Sequence, residues 1–268
     1  MHLAIDHETL YRYDSPVARS TQYLRLTPRP SDRVRVIEWQ LTLPAQAARG
    51  LDAYGNVLHV LTLDKPHSEI RLHATGVVET SDAAPSPMRD DSLPPQLFLR
   101  DSPLTHADAA LQDFARQHQA AVAANRQAGL TTLMQAVGER MPYTPGSTDV
   151  ATAAADAFAQ SRGVCQDHAH VYAACCRLLG IPARYVSGYL AADAEHVASH
   201  AWVEAWLDDG WLGFDVSNQC LAGNRHVPLA VGLDYLDACP VRGMRQGGGG
   251  ESLHAVARVT QAAHGQDQ

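Results

Sequence analysis

The sequence predicts an α+β protein, and three features carry that reading. From Leu3 to about Thr80 one short alternating segment follows another, with turn residues between them and no helix-length periodicity. A polar, proline-rich stretch from Asp82 to Pro95 then interrupts the pattern. Beyond it the chain turns helical and alanine-rich before strand-like runs return. These features predict an N-terminal antiparallel β-sandwich over residues 1–95 and a core of helices plus antiparallel sheet over residues 96–268.

Taken in order, the N-terminal strands are Leu3 to Tyr13, Val17 to Pro28, Val34 to Leu43, Val57 to Leu63 and Glu69 to Glu79. Asp14-Ser15-Pro16, Arg29-Pro30-Ser31-Asp32 and Asp52-Ala53-Tyr54-Gly55-Asn56 read as turns between them. Thr105 to Asp108 resembles a helix cap, and three helices are expected before Cys165: Ala109 to Ala124, Leu130 to Arg140 and Val150 to Gln160. Near the C-terminus, His226 to Gly232 returns toward the core and Gly247 to Gly250 reads as a flexible hinge. Ser252 to Gln261 alternates, with Leu253, Ala255, Ala257 and Val259 on one face. It predicts a last strand added to the N-terminal module.

Composition narrows the function. A length of 268 residues with 46% hydrophobic content can build a sizeable core. The formal charge of -8 argues against nucleic acid as the main partner, because phosphate binding needs a basic face. No stretch nears the ~18 apolar residues of a membrane span, and the opening Met1-His2-Leu3-Ala4 lacks the pattern of a signal peptide. No membrane partner and a cytoplasmic location are therefore expected. Five cysteines without regular spacing predict free thiols in a reducing compartment.

Chemistry concentrates between Gly163 and Asp215. Cys165 stands where a loop gives way to a helix whose apolar face is Val171, Tyr172, Cys175, Leu178 and Leu179, closed by Gly180 and Pro182. A helix N-terminus favours thiolate over thiol. Ala183 to Leu190 and Ser199 to Leu207 read as strands; Asp208-Asp209-Gly210 is a turn, and Trp211 to Val216 returns. If Trp206 opposes Trp211, then Trp202 opposes Asp215 and His200 is its diagonal neighbour on the same face, ~7–8 Å away at the backbone. A slip of one residue would separate them. In that register Cys165 is a nucleophile, His200 its base and later acid, and Asp215 the group that orients the imidazole, with the Cys165 N–H as an oxyanion donor.

Gly163-Val164-Cys165-Gln166-Asp167, Ser199-His200-Ala201-Trp202-Val203-Glu204 and Gly213-Phe214-Asp215 resemble the bacterial transglutaminase-like cysteine protease family, in the family's order. Gly180 to Tyr189 between the first two blocks resembles it too, as does Leu24-Arg25-Leu26-Thr27-Pro28-Arg29 in the N-terminal module. The resemblance implies a papain-like core with Cys165, His200 and Asp215 as triad, and no required cofactor. Two positions depart from the family pattern: His168 replaces the usual aromatic, and Val216-Ser217 stands where Pro-Thr often follows the acid.

Other residues carry blander readings. Cys175, Cys176, Cys220 and Cys239 are expected to be structural. Cys165 with His168 and His170 lacks the ligand spacing of a zinc site, so no metal is expected. Gln166, Trp202, Tyr143 and Tyr189 are the candidate substrate contacts, with Trp202 otherwise a packing residue. The expected function is cleavage of an amide or isopeptide bond through a thioester on Cys165, in a peptide, amide or protein substrate. Transglutamination and a non-catalytic peptide-binding module are the alternatives. Edges of the N-terminal sheet can pair with a second copy, which leaves a homo-oligomer open.

Overall fold

The computed structural model describes residues 1–90, 92–191 and 199–262. In the N-terminal part, β1 (His2–Leu24), β2 (Val34–Thr42), β3 (Ala47–Leu51), β4 (Val57–Leu63) and β5 (His67–Thr80) are joined by short turns. A 3-10 helix, Pro95–Leu99, leads to α1 (Ala109–Arg116), α2 (Gln119–Ala124), α3 (Arg126–Arg140), α4 (Ala154–Gln160) and α5 (Cys165–Leu178). The core sheet follows as β6 (Ala183–Leu190), β7 (Ser199–Leu207), β8 (Gly210–Asp215), β9 (Cys220–Leu221) and β10 (His226–Gly232). The chain then passes through α6 (Tyr235–Ala238) to β11 (Val241–Gly247) and β12 (Glu251–Gln261).

The fold is α+β, with two antiparallel sheets. The N-terminal strands form one continuous, curled hydrogen-bonded sheet in the order β2-β5-β1-β4-β3. The reason is the length of β1. Its first half pairs with β5 and β12, its second half with β4 and β11, and the register shifts between Arg12 and Val17 where the strand bends. Asp14 and Ser15, expected as a turn, stay within this strand because their N–H groups donate to Gly250 and Gly248.

The glycine run is accordingly a hairpin turn between β11 and β12, not a hinge. Gly247, Gly248 and Gly249 sit at φ +84°, +97° and +64°, where a side chain would be strained. β12 pairs with β1 along its whole length, so the C-terminus does return to the N-terminal module.

The core sheet runs β10-β6-β7-β8-β9, and α5 is its central helix. Leu130, Leu133, Met134 and Val137 of α3 and Ala157 of α4 pack around it with Val203, Ala205, Leu212 and Phe214 of the sheet. Each fully buried side chain of this size contributes about 1.5–3 kcal/mol. A Schellman motif ends α5: Gly180, at φ +75°, donates to Arg177 O, and Ile181 donates to Cys176 O. Among the described residues four α-helices precede Cys165 rather than three, because the expected Ala109 to Ala124 helix breaks at Gln117-His118. Val122 of α2 packs so closely on α3 that a Cβ on Gly129 would lie 2.4 Å from the Val122 nitrogen. α2 thus serves a different partner from α1, whose Leu111 and Ala115 are buried in the helical core around α5.

Several contacts fix the N-terminal sheet against the core. Leu3, Ile5, Val78 and Val259 pack on Tyr189, Val227 and Leu229. The turn residue Asn56, fully buried, clasps the β10 backbone, donating to Val231 O (2.8 Å) and accepting from Val231 N–H (2.8 Å).

Candidate active site

Cys165 is the first residue of α5, preceded by an extended Val164 (φ −113°, ψ −174°). Asp167 shapes the approach: its Oδ2 accepts the Val164 N–H (2.7 Å) and the Thr148 hydroxyl (2.6 Å). Gly163 leaves room for that carboxylate, since a Cβ there would come within 2.6 Å of Asp167 Cβ. The loop at Tyr143 runs alongside, with the Thr144 N–H donating to Gly163 O (2.8 Å). The thiol therefore sits on a braced turn, beside first-turn N–H groups that have no acceptor within the helix.

The hairpin adopts the register that aligns His200 with Asp215. Trp206 opposes Trp211 and Val203 opposes Phe214, which carries Trp202 opposite Asp215 and leaves His200 diagonal to it. His200 Nε2 lies 2.7 Å from Asp215 Oδ2. With Nε2 so engaged, Nδ1 is the nitrogen left to face the Cys165 thiol, which lies near enough to the ring to raise it. Burial alone would lower the affinity of His200 for its second proton. The hydrogen bonds and charges of Asp215 and Cys165 outweigh burial and raise the imidazole to about 9. Burial alone would likewise raise Asp215, but hydrogen bonds from His200 and His226 hold its carboxyl well below the usual range. Imidazole and carboxylate meet directly, and the thiol lies near the same ring.

Two further residues reach the carboxylate. Asn218 donates its side-chain N–H to Asp215 Oδ2 (2.8 Å) and its backbone N–H to Oδ1 (3.2 Å). His226 Nε2 lies 3.0 Å from Oδ2. Sequence reasoning missed both. Asn218 had a signal, since Asp followed three residues later by Asn is turn chemistry. The signal for His226 was a lone imidazole opening the apolar run Val227 to Gly232.

His200, Asp215 and His226 lie close enough together to suggest a metal cluster. Their hydrogen bonding does not suit one. A metal-binding imidazole normally donates its other ring N–H outward, whereas His226 Nδ1 accepts the Gly223 N–H (3.2 Å), which places the ring proton on Nε2, facing Asp215.

The candidate substrate contacts separate by position. Tyr143 is 53% exposed beside the thiol; burial, then the proximity of Cys165, raises its hydroxyl. Gln166 flanks Cys165, and its amide donates to Val150 O (3.1 Å). Trp202 is buried, with its ring stacked 6.1 Å from His200, so it supports the imidazole rather than offering a platform. Tyr189 does not line a cleft. It opposes Ser199 while Gly188 opposes His200, so the pleat sends its ring to the other face, where the hydroxyl lies 2.7 Å from His7 Nδ1. His168 and His170 also diverge: His168 contacts Ser217 and Met141, and His170 Nε2 accepts the Tyr235 N–H. All five cysteines are free.

This geometry agrees with comparisons to known proteins. Residues 3–79 match the bacterial transglutaminase-like N-terminal region, and residues 112–216, which contain Cys165, His200 and Asp215, match the transglutaminase-like superfamily. The chain belongs to the transglutaminase-like superfamily. Relatives of similar extent include an uncharacterised protein of Mycobacterium leprae, 34% identical over 97% of this chain and 99% of that one. Another, from Mycobacterium tuberculosis, is 30% identical over 90% of this chain and 86% of that protein. A protein-glutamine gamma-glutamyltransferase of Pseudomonas aeruginosa is 29% identical over 61% of this chain but only 27% of its own length. In fold, the crystal structure of a candidate cysteine protease from Cytophaga hutchinsonii superposes with a TM-score of 0.78 at 22% identity, covering 99% of this chain and 92% of that one.

Proposed function

We propose that this transglutaminase-like protein is a cysteine-dependent acyl-transfer enzyme that hydrolyses an amide or isopeptide bond in a peptide or protein. The observation that carries the reading is His200 hydrogen-bonded to the buried Asp215 carboxylate (2.7 Å), with Cys165 at the start of α5 near the same ring. Cys165 Sγ attacks the carbonyl carbon while its proton resides on His200. Collapse of the tetrahedral adduct breaks the C–N bond, and His200 gives the proton to the departing amine. Water then attacks the thioester, passes a proton to His200, and releases a carboxylic acid with the thiol restored. In this reading the Cys165 N–H stabilises the oxyanion at each addition. Exposed Tyr143 supplies an aromatic surface for the acyl side.

The second reading, transfer to an amine in place of water, is favoured by the name of the Pseudomonas aeruginosa relative. A library of peptides and γ-glutamyl amides, assayed with and without a primary amine acceptor, separates the two by product: free acid or new amide. Turnover that vanishes in Cys165→Ala is expected. Equal turnover by the two proteins, or alkylation of Cys165 no faster than that of buried Cys175 and Cys176, would overturn the acyl-transfer reading.

A further inference from the structure

Asp215 is fully buried, and its Oδ2 receives two imidazoles, His200 at 2.7 Å and His226 at 3.0 Å, as well as the Asn218 amide. The two rings come from strands on either side of β6. His200 opposes Gly188, and His226 opposes Leu190, two residues along, so both project from the same face. Gly188 leaves that face bare, and the Trp202 ring fills the gap. It stacks against His200 and meets His226 edge-on at 5.1 Å. The Gly223 N–H occupies His226 Nδ1, which fixes the Nε2–H tautomer and obliges His226 to donate to Asp215.

We infer that His226 is a positioning residue of the catalytic site, acting through Asp215 by anchoring the carboxylate and dividing its charge between two imidazoles. The inference rests on the acyl-transfer reading above. A carboxylate serving His200 alone would hold the imidazolium proton harder and release it more slowly to a leaving amine. A second donor on the same oxygen weakens that hold and keeps Oδ2 from rotating away. Asn218 cannot substitute for it, because it sits on the turn after β8, whereas His226 ties the acid to the far side of the sheet. Among the described residues, the other ionisable groups facing this cluster are Cys165 and His168 from α5, Cys220 from β9, and Arg225 beside His226, whose Nε donates to Ala191 O.

Two substitutions divide the roles of the ring. His226→Gln retains an N–H donor at the reach of Nε2. His226→Asn retains an acceptor for Gly223 but has no donor that reaches Asp215. The readout is iodoacetamide alkylation of Cys165, followed by peptide mass spectrometry from pH ~5 to pH ~10, which requires no substrate. Without the second donor, Asp215 favours the His200 imidazolium more strongly and the thiolate partner appears at lower pH. The alkylation midpoint should fall by about one pH unit in His226→Asn, roughly tenfold in rate on the rising limb, and return to the wild-type position in His226→Gln.

Proton NMR of the unmodified protein gives a test that survives poor folding of a variant. Two downfield ring N–H resonances are expected from the pair of imidazoles on Asp215. Equal midpoints in wild type and His226→Asn, equal shifts in both variants, or a single downfield resonance would overturn the inference while leaving the triad intact. A wild-type Cys165 with no more reactivity than Cys175 would instead overturn the triad reading and this inference with it.

Discussion

His168 Nδ1 and Ser217 Oγ are hydrogen-bonded at 2.9 Å, so the two places where the sequence departs from the family pattern meet in space. His168 Nε2 lies 2.7 Å from the Met141 carbonyl, which can only accept, so Nε2 carries the proton and Nδ1 accepts from Ser217. Burial pushes this imidazole down, as a neutral ring in that arrangement requires. The pair joins α5 to the residue two positions after Asp215.

Replacing His168 by Phe should cost about 1–3 kcal/mol, because the Met141 carbonyl and the Ser217 hydroxyl lose their ring partner in a buried site. Ser217→Ala should cost about 1 kcal/mol, and the double variant less than the sum. Urea unfolding of the four proteins measures the coupling. Strict additivity would show that the two departures are independent.

A second prediction concerns acid. Burial pushes His7 and His170 down to about 4, His7 against the Tyr189 hydroxyl and His170 accepting the Tyr235 N–H. Their folded values lie below the unfolded ~6.5, so as pH falls from ~6.5 to ~4 the unfolded chain takes up protons that the folded chain refuses. Stability is lost across that window by up to about 3 kcal/mol for each ring. His200 has the opposite sign: raised to about 9, it stabilises fully below ~6.5 and its contribution disappears as pH rises through about 9. Urea midpoints should therefore decline on both sides of neutrality. His7→Gln should flatten the acid limb by roughly half, and an unchanged limb would show that His7 does not titrate this way.

Asp90 supports a third. Its Oδ2 accepts from Arg29 of the N-terminal module (2.6 Å) and from Arg184 of β6 (2.7 Å), and Arg184 also pairs with Glu204 (2.7 Å) and covers the Trp211 ring. Burial would raise Asp90, but Ser92 and the two arginines hold it well below the usual carboxylate range. Asp90→Ala should leave Arg29 uncompensated and cost about 3 kcal/mol, against less than about 1 kcal/mol for disrupting the exposed Arg19–Asp64 pair. Because Asp90 lies between the two sheets, calorimetry should show the single unfolding transition broadening or splitting.

These contacts show what the sequence can and cannot disclose. The Trp206–Trp211 register was legible because a two-residue turn, Asp208-Asp209, connects the strands and alternation sets their faces. Cys165 was legible from the local transition of loop to helix. His226 was not, because its strand pairs with β6 across a separation that no local pattern encodes. Tyr189 misled for the same reason: its face depends on whether it opposes Ser199 or His200, and periodicity is silent on that. The glycine run read as a hinge because composition records conformational freedom but not the positive φ angles that a hairpin needs.

Gly188 gives the sharpest test of how the sheet supports the site. A Cβ there would lie 2.3 Å from the Val227 carbonyl oxygen and 2.6 Å from the Trp202 ring, closer than atoms can stand. The Val227 side is backbone, so the displacement falls on Trp202, the ring that stacks on His200 and touches His226. Gly188→Ala should cost about 1–3 kcal/mol through overpacking. It should also shift His200 relative to Cys165, and a misplacement of ~1 Å costs up to about a hundredfold in rate. The expected signature is alkylation of Cys165 at least tenfold slower near pH ~7, with exposed Cys220 reacting as before. A variant that loses stability but keeps full Cys165 reactivity would show that Trp202 packs the sheet without steadying the imidazole.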